Sequence, residues 1–72
     1  MKKIYVVVEQ YGWKSDPVKA INADSQQQAL AIAEVDYQRQ GYRTEEIKRH
    51  LKVTNQNGHE YLVFITPVTL IE

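Results

Sequence analysis

The sequence predicts an α+β fold, in which an antiparallel four- or five-stranded sheet carries one helix on one face. Two β-branched runs flank a stretch over 29–40 that lacks Gly and Pro, and Asn57-Gly58 is a strong hairpin signal. With 43% hydrophobic residues, three Gly and two Pro, the composition is globular. The 72 residues are enough for a single domain, 1–72, with the order β-β-α-β-β and an optional further strand.

The first part of the chain predicts a hairpin. The apolar, β-branched run at 4–8 indicates a strand over 3–11 in the interior of the sheet. Gly, Ser, Asp and Pro at 12–17 favour a turn. A second strand is expected over 18–23, and Pro17 is acceptable only at a strand's beginning or at the sheet's edge.

A helix is expected next. Ser25 and Gln28 have the spacing of a capping box, so the helix should begin near Gln26, and Gly41 should end it. Asp36 falls near the apolar face and needs a partner, for example Arg49 or a tyrosine hydroxyl. The predicted apolar face consists of Ala29, Leu30, Ile32, Ala33 and Tyr37.

The last part predicts a second hairpin. Apolar residues alternate with polar ones over 47–54, although Arg49 interrupts the series, and an apolar β-branched run follows over 61–66. A two-residue Asn57-Gly58 turn joins the two strands. Pro67 closes the second strand, and 68–72 is expected to form either a short edge strand or a tail on the sheet.

The turn predicts which residues share a face. It pairs Thr54 with Tyr61, Lys52 with Val63, and His50 with Ile65. The helix would then meet Ile4, Val6, Val8, Leu51, Val53, Leu62 and Phe64. The exposed face would hold Tyr5, Val7, His50, Lys52, Tyr61, Val63 and Ile65.

Such an exposed face is too apolar for bulk solvent. Either the tail or a second copy of the chain covers it, or it binds another protein. Trp13, in the first turn, is either an interface residue or is folded back onto the sheet edge. We therefore expect a non-enzymatic protein-binding module, and the alternative is a structural homodimer. The expected partner-binding residues are Tyr5, Trp13, His50, Lys52, Tyr61, Val63 and Ile65.

The distribution of charge gives only weak support to nucleic-acid binding, which is the alternative function. Nine Lys and Arg balance nine Asp and Glu, so no global field attracts polyanions. The segment 39–52 has five cations against two carboxylates, a local balance of +3, and two tyrosines lie near it. A solvated basic surface is the favoured interpretation. The alternative is weak nucleic-acid binding through Arg39, Arg43, Lys48, Arg49 and Lys52.

Other function classes lack a motif. There is no Cys, His50 and His59 lack metal-binding spacing, and neither a Gly-rich phosphate loop nor a nucleophile elbow occurs. We expect no enzyme activity, metal, cofactor or small-molecule substrate. The apolar run after Lys2 is too short for a secretory signal or a spanning helix. The lack of Cys fits a reducing compartment, so a cytoplasmic protein without membrane association is expected.

The first half of the chain contains Met1-Lys2 to Tyr5, the run Ile21–Ser25, Gln28-Ala29 and Ile32-Ala33. In this plan the chain resembles a family of small phage-encoded anti-CRISPR inhibitors. That family also places one helix between two antiparallel hairpins. The resemblance implies a stoichiometric inhibitor that docks on a nucleoprotein complex through basic and aromatic surface residues. It assigns no individual functional residue.

Overall fold

A computed structural model describes residues 2–68 and confirms the α+β class. Its elements are β1 (Lys3–Tyr11), β2 (Lys14–Ala23), α1 (Gln26–Arg39), β3 (Arg43–Ile47), β4 (His50–Thr54) and β5 (Glu60–Pro67). The strands form one antiparallel sheet in the order β2-β1-β5-β4-β3. The sheet is thus five-stranded, and β1 lies in its interior as predicted.

The ends of α1 are those that the sequence predicts. The Ser25 side chain accepts a hydrogen bond from the Gln28 amide (3.1 Å), and Gln28 Oε1 accepts one from the Asp24 amide (2.6 Å). Gly41, at φ 86°, ends the helix in the left-handed conformation. The amides of Gly41 and Tyr42 donate to the carbonyls of Gln38 and Tyr37, which is a Schellman motif.

The first hairpin is longer than predicted. Tyr11 pairs with Lys14, so Gly12 and Trp13 alone form the turn, and β2 begins at Lys14 rather than at Val18. Gly12 supplies a positive φ of 61° that a tight hairpin turn requires. Pro17 lies in an edge strand, as expected, beside a bulge where the register shifts.

The prediction of a single strand over 47–54 is wrong, because this segment contains the end of one strand, β3, and the whole of the next, β4. β3 and β4 form a hairpin in which Ile47 pairs with His50, and Lys48-Arg49 is the turn. Lys48 takes a positive φ of 58°, a conformation that the sequence does not signal with Gly or Asn. Arg49 interrupts the apolar alternation because it is a turn residue. The additional strand of the sheet is therefore β3; residues 69–72 of the predicted fifth strand or tail lie outside the described residues.

The register of the β4–β5 hairpin differs from the prediction by one residue. Thr54 pairs with Glu60, Lys52 with Leu62, and His50 with Phe64. Asn55 and His59 close a three-residue loop in which Gly58 has a φ of 84°. The Asn55 side chain accepts hydrogen bonds from the amides of Asn57 (2.9 Å) and His59 (3.0 Å). These bonds favour the longer loop over a two-residue Asn-Gly turn.

Because of this shift, the β5 side chains that were predicted to be exposed face α1, and those predicted to face α1 lie on the opposite side of the sheet. The side chains of β1 are also reversed relative to the prediction. The predicted exposure of Tyr5, Val7, Tyr61, Val63 and Ile65 is wrong, because all five are buried in the core and Val63 is 0% exposed. Leu51 and Val53 are buried as predicted. The residues wrongly assigned to the core lie on the opposite face: Ile4, Val6, Val8, Leu62 and Phe64.

The helix packs through small residues. Ala29, Leu30, Ala33 and Tyr37 are buried, and the two alanines allow α1 to lie close to the sheet. Ile32, predicted on this face, lies to one side and is 37% exposed.

The face assignment predicts unequal costs for two leucine truncations. Leu51→Ala should lower the free energy of unfolding by about 2–5 kcal/mol, because it leaves a cavity in the core. Leu62→Ala should cost clearly less, since the Leu62 side chain is only half-buried on the opposite face. Urea unfolding of both variants measures the difference. Equal costs, or a larger cost at Leu62, would show that the assigned faces are wrong.

Candidate functional site

One face of the sheet has no covering element among residues 2–68. We call it the open face. Its centre is apolar, and the His50 and Phe64 rings stack on it with centroids 4.9 Å apart. Most of these side chains are half-buried because they shelter one another. The open face comprises Ile4, Val6, Val8, Ile47, His50, Lys52, Leu62 and Phe64.

The charges on the open face are balanced. Lys52 forms an ion pair with Glu60 (3.2 Å), and Arg43 and Glu45 on β3 also lie on this side. The pair is largely solvent-exposed, so it contributes little stability. Of the predicted partner-binding residues, His50 and Lys52 do lie on an exposed face, beside Leu62 and Phe64 rather than Val63 and Ile65.

Trp13 extends from the β1–β2 turn into solvent. It is 94% exposed, which excludes the alternative that it folds back onto the sheet edge. A shallow depression of about 300 Å³ connects this turn with the open face. Its lining includes Gly12 next to Trp13, Lys52 and Leu62 from the open face, and Gln10, which pairs with Leu62 and lies on the same side of the sheet. The turn and the open face therefore form one continuous surface.

The two sheet edges are poorly suited to adding another strand. β2 carries Pro17 and a bulge, and the short β3 carries Arg43, Glu45 and Glu46. Proline, bulges, charge and shortness are the features by which natural edge strands avoid pairing. Association through a face is thus favoured over association through an edge.

The five cations of the predicted nucleic-acid surface are dispersed. Arg39 ends α1, whereas Arg43 and Lys48-Arg49 lie at opposite ends of the β3 strand. Lys52 is paired with Glu60. The strand separates its ends by roughly 15 Å at about 3.4 Å per residue, and the structure does not bring these residues into one groove.

The helix side carries a second feature, which sequence reasoning missed. Glu9 is half-buried and lies on the same side of β1 as the buried residues Tyr5 and Val7. The hydroxyl of Tyr11 donates to Glu9 Oε1 and that of Tyr37 donates to Glu9 Oε2, both at 2.6 Å. The sequence offered one signal for this feature, which is that Glu9 occupies a position in the alternating series of β1 where an apolar residue is expected.

Two further tyrosines complete this group. The Tyr61 ring lies 4.8 Å from that of Tyr11 and 6.3 Å from that of Tyr37, and Tyr42 stacks on Tyr37 at 6.0 Å. We call Glu9 with these four residues the tyrosine cluster. It lines a cleft of about 300 Å³ beneath the last turns of α1.

The cluster suppresses ionisation of its phenols. The hydrogen bond to Glu9, together with burial and the Glu9 charge, raises the pKa of Tyr11 to about 12. Burial first, and then the hydrogen bond to Glu9, raises the pKa of Tyr37 well above its usual range. Burial and the Glu9 charge also raise the pKa of Tyr61. These phenols are poor acids and bases near neutral pH.

Asp36 lies at the rim of the same cleft. Its carboxylate pairs with Lys19 on β2, so the predicted need for a partner is met by Lys19 rather than by Arg49 or a tyrosine. Both side chains are partly exposed.

Over the described part of the chain, no three His, Cys, Asp or Glu side chains are grouped so that they could hold a metal ion. In the same residues, no helix has the length and apolar character needed to cross a membrane. No protein-family model, curated protein or solved structure matches this chain.

Glu9→Gln should lower the pKa of Tyr11 from about 12 toward its ordinary value of 10.0, because it replaces the carboxylate that accepts the Tyr11 hydrogen bond and removes the charge that favours the neutral phenol. Residue-resolved NMR titration of the tyrosine ring carbons measures this shift. Glu34→Gln is the matched control, since Glu34 also accepts a hydroxyl hydrogen bond, from Thr44. An unchanged pKa of Tyr11 in Glu9→Gln would contradict the described cluster.

Alkaline pH should destabilise the fold. Unfolded tyrosines lose their protons near pH 10, whereas the folded chain retains that of Tyr11 to about pH 12. The folded state therefore binds more protons in this window, and the free energy of unfolding falls as pH rises from 10 to 12. Urea unfolding at a series of pH values measures this slope. Tyr37→Phe should make it shallower, and an unchanged slope in that variant would argue against a raised pKa at Tyr37.

Proposed function

We propose that this chain is a small non-enzymatic protein-binding module that acts through the open face and the Trp13 turn. The observation that carries the proposal is the 94% exposure of Trp13 on a two-residue turn continuous with an apolar sheet surface. Tryptophan is enriched among the residues that dominate binding energy at interfaces. A short turn also restrains the backbone that carries the indole, so ordering this backbone on binding costs little conformational entropy.

The partner is a different protein that binds non-obligately. Obligate homodimer interfaces are strongly apolar, whereas this surface mixes apolar residues with Arg43, Glu45, Lys52 and Glu60. The core is also complete within one chain, since it draws on α1 and four strands. The near balance of charge on the open face favours protein over a nucleic-acid backbone.

Two finer statements belong to the same proposal. An inhibitor of a nucleoprotein complex, the role that the resemblance implies, is the special case in which the partner is such a complex. A cytoplasmic location is supported by the absence of Cys, which suits a reducing compartment. The proposal of a non-enzymatic role is supported by the sequence, which carries neither a Gly-rich phosphate loop nor a nucleophile elbow.

Trp13→Ala and Leu62→Glu should each abolish capture of a partner that the unmodified chain retains from lysate of the encoding organism. Loss of a central Trp contact costs at least about 2 kcal/mol, and a glutamate on the open face would be desolvated without a partner. The matched control is Val35→Glu, which places the same charge at an exposed apolar position on the outer side of α1. Quantitative mass spectrometry of the captured proteins compares the four chains.

The proposal requires a partner that Val35→Glu retains and both other variants lose. Light scattering coupled to size exclusion should give a monomer at micromolar concentration. A dimer dissociated by Leu62→Glu would replace the proposal with a homodimer. Binding to single-stranded DNA that weakens steeply with salt and depends on Arg43 and Lys48 would replace it with the nucleic-acid alternative.

A further inference from the structure

The tyrosine cluster has a charge that the described residues do not neutralise directly. Glu9 is half-buried, and no Lys or Arg among residues 2–68 forms an ion pair with it. The two nearby lysines are engaged elsewhere, Lys19 with Asp36 and Lys14 with Asp16 (4.0 Å). A partly desolvated carboxylate that lacks a cation attracts one more strongly than an exposed carboxylate does.

The hydrogen bonds of the cluster decide which groups it offers to a ligand. A tyrosine hydroxyl has one proton, and Tyr11 and Tyr37 both donate theirs to Glu9. Glu9, Tyr11 and Tyr37 therefore have only oxygen lone pairs left, so they can accept hydrogen bonds from a ligand but cannot donate them. A ligand that binds here must bring hydrogen-bond donors together with positive charge.

The rest of the lining limits the ligand further. Val7, Val18 and Ala33 line part of the cleft, so an aliphatic stem can pack there. Tyrosine rings also line it, and a planar cation can stack against them. The polar lining consists of the paired Lys19 and Asp36, with Gln40 and Asn55. The volume of about 300 Å³ accommodates one side chain.

We propose that this cleft binds a guanidinium group, with Glu9 as its counter-ion and the tyrosine cluster as its wall. Guanidinium is planar, carries five N–H donors and pairs with a carboxylate through two of them. A quaternary ammonium carries the charge but has no donor, and a urea has donors but no charge. The cleft lies on the helix side of the sheet, opposite the open face, although Tyr61 lines both the cleft and the depression beside the Trp13 turn.

The probes follow from this chemistry. N-acetyl-arginine amide tests the guanidinium on an uncharged backbone, and N-acetyl-citrulline amide is its neutral isostere. Tetramethylammonium tests charge without donors. NMR titration of the amide signals of Glu9, Tyr11 and Tyr37 reports binding. Saturable shifts with the arginine probe, and binding at least about tenfold weaker with both other probes, are expected, because a charge-assisted pair is worth more than 1.4 kcal/mol.

Variants locate the effect. Glu9→Gln preserves the shape of the side chain and removes its charge, so it should weaken binding of the arginine probe about tenfold or more. Glu34→Gln, outside the cleft, should leave the affinity unchanged. Should Glu9→Gln fail to fold, the comparison of arginine with citrulline on the unmodified chain decides alone.

The source of the guanidinium is resolved by a further comparison. If it is a side chain of another protein, the capped amide should bind at least as well as free L-arginine, and a peptide with one central arginine should bind more tightly. If it is a free metabolite, L-arginine should bind best. Equal binding of the arginine and citrulline probes, or no saturable binding of the arginine probe at tens of millimolar, would overturn the proposal.

Discussion

The hydrogen bonds of Asn55 determine the pairing of β4 with β5, and most of the structure depends on that pairing. One side-chain oxygen accepts from the amides of Asn57 and His59, which holds the three-residue loop. Since successive side chains of a strand point to opposite faces, a shift of one residue would exchange the buried and exposed halves of β5. Because β5 is the central strand, the loop determines which β5 side chains pack against α1 at the middle of the sheet.

β1 and β5 explain why this constraint has so much influence. Both strands are apolar on both faces, so hydrophobicity alone does not tell the two sides apart. Either orientation leaves an apolar surface opposite the helix. An apolar open face could therefore be predicted from composition and alternation, although the predicted members Tyr5, Val7, Tyr61, Val63 and Ile65 were wrong. Identifying its members required the loop geometry, which Asn57-Gly58 signals ambiguously.

The sequence predicts those elements whose signals are local. The capping residues of α1, its stop at Gly41 and the strands β1 and β5 are examples. The β3–β4 hairpin was missed because Lys48 takes a left-handed conformation that usually requires Gly or Asn. The tyrosine cluster was missed for another reason: residues from β1, α1 and β5 converge on Glu9 only after the sheet and helix have packed.

The stop at Gly41 also shapes the cleft. The Schellman motif turns the chain at this glycine, and Tyr42, the next residue, packs back on Tyr37 and lines the cleft. Added atoms at Gly41 would approach the Gln56 side chain at 2.9 Å, besides straining a φ of 86°. The same glycine thus ends the helix and places Tyr42 in the aromatic lining of the cleft that contains Glu9.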